Sequence, residues 1–442
     1  MLTATATTTA THQSNLAFAR GPDDRSPAEL VEYSSHRPLL IQRAYKAELR
    51  PTAEQVELLA RHCGTARFAF NFALGRKIDH YEKTGKALPY REIDAEFNAK
   101  KRSGEEFEWA NGVSKWSHQN AIRDCEKAFQ NFFQGIKGGK KVGFPRFKSK
   151  HRSTPKYRVA GERVTVFADR IRLPKIGPVR LRRHDYIPTS GVKLNSATIS
   201  QRAGRWFISV QVEETIEVPE NQRQSFVGID LGLVSFAVGS DGSRLDSPKP
   251  LARSLKKMRR LSRLLSRKKK GSNNRQKAKA KLAKLHFRIA NQRSDFLHKS
   301  SDFYTKHFDV ICIESLNVRG MVKNRHLGRS ILDSSWGEFS RQVQYKSLWR
   351  GKDCIKADRW YPSSKTCSEC GAVRDRLSLS LRSWVCTCGA VHDRDENASK
   401  NLENYGRAAV NARTLEKSST PAEMPMGVHE AGMISVDYTR NH

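Results

Sequence analysis

Acidic residues are scarce: 45 Asp and Glu stand against 80 Lys and Arg, which leaves a formal net charge of +35. A field of that sign attracts polyanions, so nucleic acid or an acidic membrane surface is the expected partner, and an enzyme of small metabolites is not. No uninterrupted apolar run reaches the roughly eighteen residues that a spanning helix requires. Residues 1–20 also lack a basic segment followed by a long apolar one, so neither a secretory route nor an oxidising compartment is expected. In a reduced cell, eight cysteines point to metal ligation or burial rather than to disulfides.

The ends carry no apolar periodicity, and residues 1–36 and 407–442 read as loosely ordered tails. Leu39 to Leu49 alternates as a strand does. After the break at Arg50-Pro51, Thr52 suits a helix N-cap, and Val56, Leu59, Cys63, Ala66, Phe70 and Leu74 form one helical stripe. A second helix is expected from Ser117 to Phe133. The stretch from Gly135 to Arg152 mixes bases (Lys140, Lys141, Arg146, Lys148, Lys150) with Phe144 and Phe147, a pattern suited to phosphate contact and base stacking, although a solvated connector would carry the same charge. Residues 163–214 alternate with period two between Gly and Pro breaks, which predicts antiparallel strands in a small barrel. The strand at 39–49 should join them, leaving the helices of 52–134 as an insertion. Between Leu255 and Arg293 two helical stripes flank Gly271-Ser272-Asn273-Asn274, giving a helical hairpin whose bases, Arg267, Lys268, Lys269 and Lys270 among them, have few acids to offset them. Phosphate contact is the expected use.

Three acids occupy unusual settings. Asp230 lies within the apolar strand Phe226-Val227-Gly228-Ile229-Asp230-Leu231, where a carboxylate costs desolvation unless a cation or donors compensate it; a structural Asp holding a turn is the other explanation. Glu314 sits at the exit of the strand Val310 to Ile313. Asp393 and Asp395 precede a helix, where the helix dipole favours negative charge. Further along, Cys367-Ser-Glu-Cys370-Gly and Cys386-Thr-Cys388-Gly are two thiolate pairs on Gly-ended knuckles, as one tetrahedral zinc requires. The second pair is one residue short of the usual spacing, so strain, or replacement of one thiolate by His392, is open. Cys63, Cys125, Cys312 and Cys354 sit on apolar stripes or strands, where burial accounts for them.

The acids, taken in the order strand Asp, strand Glu, helix-start Asp, resemble the RuvC branch of the ribonuclease-H-like fold. With RAYKAELRPTAEQ, GFPRFKSKHR, GIDLG, IESLNVRGM, SILDSSWGEF, DRWYPSSKTCSECG and HDRDENASKNL in this order, the chain from Gln42 onward resembles the TnpB (OrfB) family of insertion sequences, relatives of the type V CRISPR nucleases. The resemblance implies an α+β multidomain protein. Its parts are a β-barrel wedge domain (37–51 and 154–222), an inserted helical recognition domain with the basic linker (52–153), a RuvC nuclease domain (223–366) carrying the hairpin at 255–293, a zinc ribbon (367–390) and a third RuvC segment (391–406). It implies Asp230, Glu314 and Asp395 as a triad for two Mg²⁺ (or Mn²⁺) ions, with Asp393 as the alternative third acid, and one structural Zn²⁺ on Cys367, Cys370, Cys386 and Cys388. It also implies a guide RNA from the transposon end, a target DNA, no membrane, one chain per ribonucleoprotein, and a place beside the nucleoid in a bacterial or archaeal cytoplasm. A miniature CRISPR effector, a non-cutting RNA-guided repressor and a transposase proper are the alternatives. A transposase of the His-x-His and Tyr type is disfavoured, because that pair is missing.

Overall fold

The computed structural model describes residues 38–419 apart from positions 105, 220, 379 and 380. The tail expected at 1–36, and 420–442 of the one expected at the other end, lie outside the described residues. The chain forms two compact units, one of residues 40–215 with 261–287 and the other of 216–260 with the residues from 288 onward. Among the described residues no helix is long and apolar enough to cross a membrane.

The first unit begins with β1 (Pro38–Arg50), followed by α1 (Ala53–Thr84), α2 (Tyr90–Arg102) and α3 (Trp116–Lys137). Thr52 caps α1 as its sequence predicts: its hydroxyl accepts from the Gln55 N–H while the Gln55 side chain accepts from the Thr52 N–H, a reciprocal capping box. The strands that follow are β2 (Lys156–Ala160), β3 (Thr165–Val166), β4 (Arg170–Leu173), β5 (Gly177–Leu181), β6 (Lys193–Arg202) and β7 (Arg205–Glu217). They make one seven-stranded sheet in the order β2-β6-β7-β1-β5-β4-β3. β1 therefore does join the later strands, with α1 to α3 inserted between. Among the described residues no ladder ties β2 to β3, so the sheet keeps two hydrogen-bonding edges where a closed barrel is expected from sequence. Alternation fixes which residues pair with neighbours but leaves closure to the twist and register of distant strands. One core holds this unit together, running from Leu59, Phe70, Phe97 and Ile122 on the helices to Val159, Ile171, Ile199 and Ile208 on the sheet.

In the second unit the strands are β8 (Phe226–Asp230), β9 (Ala237–Gly239), β10 (Arg244–Leu245), β11 (Val310–Ile313) and β12 (Asp353–Lys356), arranged β10-β9-β8-β11-β12. β8, β11 and β12 run parallel, whereas β9 is antiparallel to β8 and β10 to β9. The helices are α4 (Pro250–Ser266), α5 (Asn273–His307), α6 (Val318–Met321), α7 (Gly328–Ser334), α8 (Trp336–Trp349) and α9 (Arg394–Ser419), with the hairpin β13 (Ser383–Val385) and β14 (Val391–Asp393) before α9. Because side chains alternate across a strand, the sheet has two buried faces. Val227, Ile229, Ile311 and Ile313 pack with Leu297, Tyr304, Phe339 and Val343 of α5 and α8. Val310 and Cys312 pack with Ile355, Leu402 and Val410, the last two from α9.

Two expected boundaries change. Residues 407–419 are not tail but the continuation of α9, with Val410 buried and the Arg407 guanidinium 4.2 Å from the Phe226 ring centroid. Ala408, Ala409 and Val410 extend the apolar stripe, and the surrounding charge conceals it. The hairpin α4/α5, expected inside the nuclease domain, is divided: residues 261–287 belong to the first unit, where Phe287 lies 5.6 Å from Phe207. The base of the hairpin is held by Asp333 of α7, a buried carboxylate that accepts from the Leu251 N–H (3.1 Å) at the start of α4 and from Arg293 Nη2 (2.7 Å) on α5.

α9 approaches β8 so closely that a Cβ on Gly228 would stand 2.0 Å from the Ser399 carbonyl oxygen and 2.3 Å from the Glu403 nitrogen. Backbone cannot yield as a side-chain tip can. Gly228→Ala is therefore expected to destabilise the protein by about 2 kcal/mol or more, at the upper end of overpacking effects, measured as a lower urea midpoint at unchanged slope.

Candidate carboxylate centre and thiol knuckles

The sheet register brings the first two acids together. Ile229 on β8 pairs in parallel with Ile313 on β11, so the next residues, Asp230 and Glu314, stand abreast at the same ends of adjacent strands. Both share the parity of Gly228 and Cys312, the positions that α9 covers, so both carboxylates project to the α9 face. Asp230 closes β8 rather than lying in mid-strand, as the sequence suggests, and the chain turns away directly after it. Asp395 enters from the first turn of α9, one helical turn before Ser399 on Gly228.

The electrostatics follow from this crowding. Burial, then the neighbouring Glu314 and Asp395, push the Asp230 carboxyl well above the usual carboxylate range. Glu314 is also raised, first by burial, although hydrogen bonds from Asp230 and Ser363 and the Arg394 charge oppose the shift. The Ser363 hydroxyl donates to Glu314 Oε1 at 3.1 Å. Two adjacent carboxyl groups that resist ionising together are a site short of positive charge, the condition a divalent cation relieves.

The two candidates for the third acid have different jobs. Asp393 Oδ1 accepts from the backbone N–H groups of Asp395 (3.0 Å) and Glu396 (3.1 Å) and lies 3.4 Å from Arg244 Nη2, which makes it the N-cap of α9. The charge of Asp395 acts on both Asp230 and Glu314, and Arg382 Nη1 stands 3.4 Å from its Oδ1.

The four knuckle thiols lie within 4.8 Å of one another, and among the described residues theirs is the one group of three or more ligand atoms gathered this tightly. Two sulfur pairs are 3.8 Å (Cys367 and Cys388) and 3.6 Å (Cys370 and Cys386) apart. Zinc–sulfur bonds of about 2.3 Å place tetrahedral sulfurs about 3.8 Å apart, so the cluster has the right size for zinc. Both knuckles close alike: Gly371 N–H donates to the Cys367 carbonyl and Gly389 N–H to that of Cys386, each glycine at positive φ (76° and 89°). The second turn is one residue tighter, and despite the short Cys386-x-Cys388 spacing all four thiols gather at one point. His392 donates or accepts at Cys367 Sγ (3.0 Å) and packs against Trp384, beside the four thiols rather than in place of one. The Cys388 N–H first, then the surrounding thiols, bring Cys386 down to about 6; at Cys370 the Ala372 N–H acts downward, but the other three thiols outweigh it and carry it up to about 12.

Sequence reasoning missed how the knuckles meet the acids. Asn397 and Asn401, buried and one turn apart on α9, each donate from Nδ2 to the Thr366 carbonyl at 2.7 Å, and Asn397 Oδ1 accepts from the Ser368 N–H at 2.9 Å. The first knuckle is thereby bolted to the helix that carries Asp395. The spacing Asn-x-x-x-Asn inside HDRDENASKNL is the available signal.

A family model described as "Probable transposase" (OrfB_IS605) matches residues 207–325, one described as "Cas12f1-like, TNB domain" matches 336–402, and an OrfB "Helix-turn-helix domain" matches 41–86. A protein of Streptomyces pristinaespiralis named "Putative RNA-guided DNA endonuclease" is 37% identical over 371 residues, which cover 84% of this chain and 90% of the relative. The chain belongs to the TnpB (OrfB) family. A second relative, named "Putative RNA-guided DNA endonuclease InsQ" in Escherichia coli strain K12, is 34% identical over 395 residues, covering 86% of this chain and 96% of its own. The protein chain in a cryo-EM structure of a Cas12f1, sgRNA and target DNA complex superposes with a TM-score of 0.50 at 12% identity, over 83% of this chain and 99% of that one, a likeness of fold.

The basic positions of this TnpB-family chain divide. Lys140, Lys141, Arg146, Lys150, Arg267, Lys268, Lys269 and Lys270 are exposed. Lys148 is not available in the same way: its ammonium lies 3.3 Å from the Phe70 ring centroid, and burial brings it down to about 8. Its backbone is pinned to Asn71 by two hydrogen bonds of 2.7 and 2.9 Å, so it anchors the linker to α1. A charge run shows which residues are basic but not which of them face inward.

Because Asp393 caps α9, Asp393→Ala should cost about 1 kcal/mol of stability, and Asp393→Asn, which keeps a capping oxygen, should recover most of it in urea denaturation.

Proposed function

We propose that the chain is an RNA-guided DNA endonuclease with a ribonuclease-H-like (RuvC) centre made of Asp230, Glu314 and Asp395. The observation that supports this most is the placement of Asp230 and Glu314 abreast on parallel strands, facing the helix whose first turn carries Asp395. The curated relatives' descriptions as RNA-guided DNA endonucleases agree with it. A repressor that has lost cutting has no need of two crowded, desolvated carboxyl groups, and a transposase of the His and Tyr type has no matching pair.

The three carboxylates supply hard oxygen ligands of the kind that Mg²⁺ or Mn²⁺ takes, and bound divalent ions would lower the pKa of an attacking water and stabilise the leaving 3′ oxygen of a phosphodiester. The chain's own part is positional. β8 and β11 fix Asp230 and Glu314, Ser363 orients Glu314, the Asp393 cap sets the start of α9, and Arg382 stands beside Asp395. Cys367, Cys370, Cys386 and Cys388 would hold one structural Zn²⁺ and so fix the knuckle that Asn397 and Asn401 grip. Specificity rests with pairing between a transposon-end guide RNA and the target strand, so the protein needs backbone contacts, which the exposed bases of 140–150 and 267–270 provide in a complex of one chain with one RNA. A bacterial or archaeal cytoplasm, beside the nucleoid, is the matching setting.

Alanine at Asp230, Glu314 or Asp395 should lower cleavage of a matched target more than about 100-fold, beyond the effect of an outer-shell partner, and leave RNA affinity unchanged; Asp393→Ala should keep cutting. The raised Asp230 carboxyl adds a proton effect. A folded-state pKa above the unfolded value means that the metal-free protein binds the extra proton, so its stability falls as pH rises from the ordinary Asp value towards the raised one. Mg²⁺ or Mn²⁺ uptake should accordingly release protons, seen as a buffer-dependent heat in titration calorimetry and lost in Asp230→Asn. Native mass spectrometry should find one zinc per chain. Chelation or Cys367→Ser should remove it and lower cleavage with Asp230 and Glu314 intact, since the knuckle no longer holds α9 in place.

A further inference from the structure

The loop from Ala357 to Ser363 is fastened at both ends to the strand that ends beside Glu314. Its first residue donates from the Ala357 N–H to the Ile313 carbonyl at 2.9 Å, and its last donates from the Ser363 hydroxyl to Glu314 Oε1 at 3.1 Å. Between these pins nearly every residue is tied down. Asp358 Oδ1 accepts from the Trp360 N–H at 2.7 Å, and the Asp358 carbonyl accepts from the Tyr361 N–H at 3.1 Å. Tyr361 turns inward, its hydroxyl donating to the Asn401 carbonyl at 3.1 Å and its ring packing 4.8 Å from Tyr405. The Ser363 carbonyl accepts from Asn401 Nδ2 at 2.7 Å. Against this rigid frame the Trp360 indole stands out at 81% exposure, more exposed than any other large apolar side chain described. The Arg359 guanidinium lies 5.2 Å from its centroid, so one face meets a cation and the other meets solvent.

Packing does not require this indole, because Tyr361 already fills the inward position. An exposed tryptophan on a stiff loop, with a cation beside it, is instead the pairing that nucleobases and their phosphates take in single-strand sites: the ring stacks on a base of any identity and the guanidinium attracts the backbone. Trp360 is three residues from each pin, a backbone reach of at most roughly 10 Å from the Glu314 end. We propose that Trp360, with Arg359, is a positioning residue that stacks on a base of the DNA strand next to the phosphodiester being cut and so registers the strand on the carboxylates. This rests on the nuclease reading above, and it adds a subsite that the triad does not contain.

The test uses the full chain purified with its RNA, in Mg²⁺, with matched target DNA. Trp360→Ala should raise KM about tenfold or more while kcat changes little, Trp360→Phe should restore most of the loss, and Trp360→Leu, apolar but not aromatic, should not. Abasic sites placed one at a time around the cut should show one position where the wild type loses about as much as Trp360→Ala does and where Trp360→Ala loses nothing further. An unchanged KM in Trp360→Ala, full rescue by Leu, or equal abasic penalties in wild type and variant at every position would overturn the proposal. A second readout does not depend on cutting. In an Asp230→Ala background, single-stranded DNA carrying 2-aminopurine should be quenched on binding when Trp360 is present and not when it is Ala. Quenching without cleavage by the wild type would reject the nuclease reading and retain the base-stacking site; equal signals with and without Trp360 would reject the site.

Discussion

The second unit is built on how close one helix can come to one sheet. α9 lies against β8 and β11 at Gly228 and Gly406, and at Gly228 the approach leaves no room for a single carbon. That contact sets the height at which Asp395 arrives over Asp230 and Glu314. A helix held off by one methyl group would carry Asp395 farther from Asp230 and Glu314. The close approach of helix to sheet and the gathering of the acids meet at one glycine of the GIDLG sequence.

The knuckles act on the same geometry from the other side. Two asparagines on α9 hold the Thr366 carbonyl, and the thiol cluster lies just beyond it, so the first knuckle and the helix that carries Asp395 are joined by buried hydrogen bonds. The thiol cluster, which lies in sequence between Glu314 and Asp395, is thereby joined to the helix that carries Asp395. The knuckle segment separates β12 from α9 in sequence and braces that helix in space.

Much of this was legible in the residues. Apolar strands ending on acids, a Thr-capped stripe helix, and thiol pairs on Gly-ended knuckles are local patterns with local physical causes, and the structure has strands, helix and clustered thiols at those places. What escaped reading depends on partners distant in sequence. Whether the seven-stranded sheet closes is decided by edges that alternation does not describe. The extension of α9 past Arg407 was hidden because Arg407, Glu416 and Lys417 resemble a solvated tail, while Val410 has its partner on β11 and β12. Lys148 reads as one more base in a basic loop until Phe70, nearly eighty positions earlier, is placed beneath it. Asp393 and Asp395 could be ranked by motif, but only the hydrogen bonds of the helix start separate a cap from a candidate ligand.

The buried carboxylate of Asp333 bears on how the basic hairpin tolerates its own charge. Both arms end in its grip, α4 through a backbone N–H and α5 through Arg293. Like charges along the two helices push the arms apart, and that repulsion fades as salt screens the exposed lysines and arginines, whereas a sheltered ion pair is screened far less. The hairpin is thus fastened at its base by Asp333 and at its tip by Arg275, whose guanidinium donates to the Leu265 and Lys268 carbonyls, so ionic strength changes only the repulsion along the arms between those two fastenings.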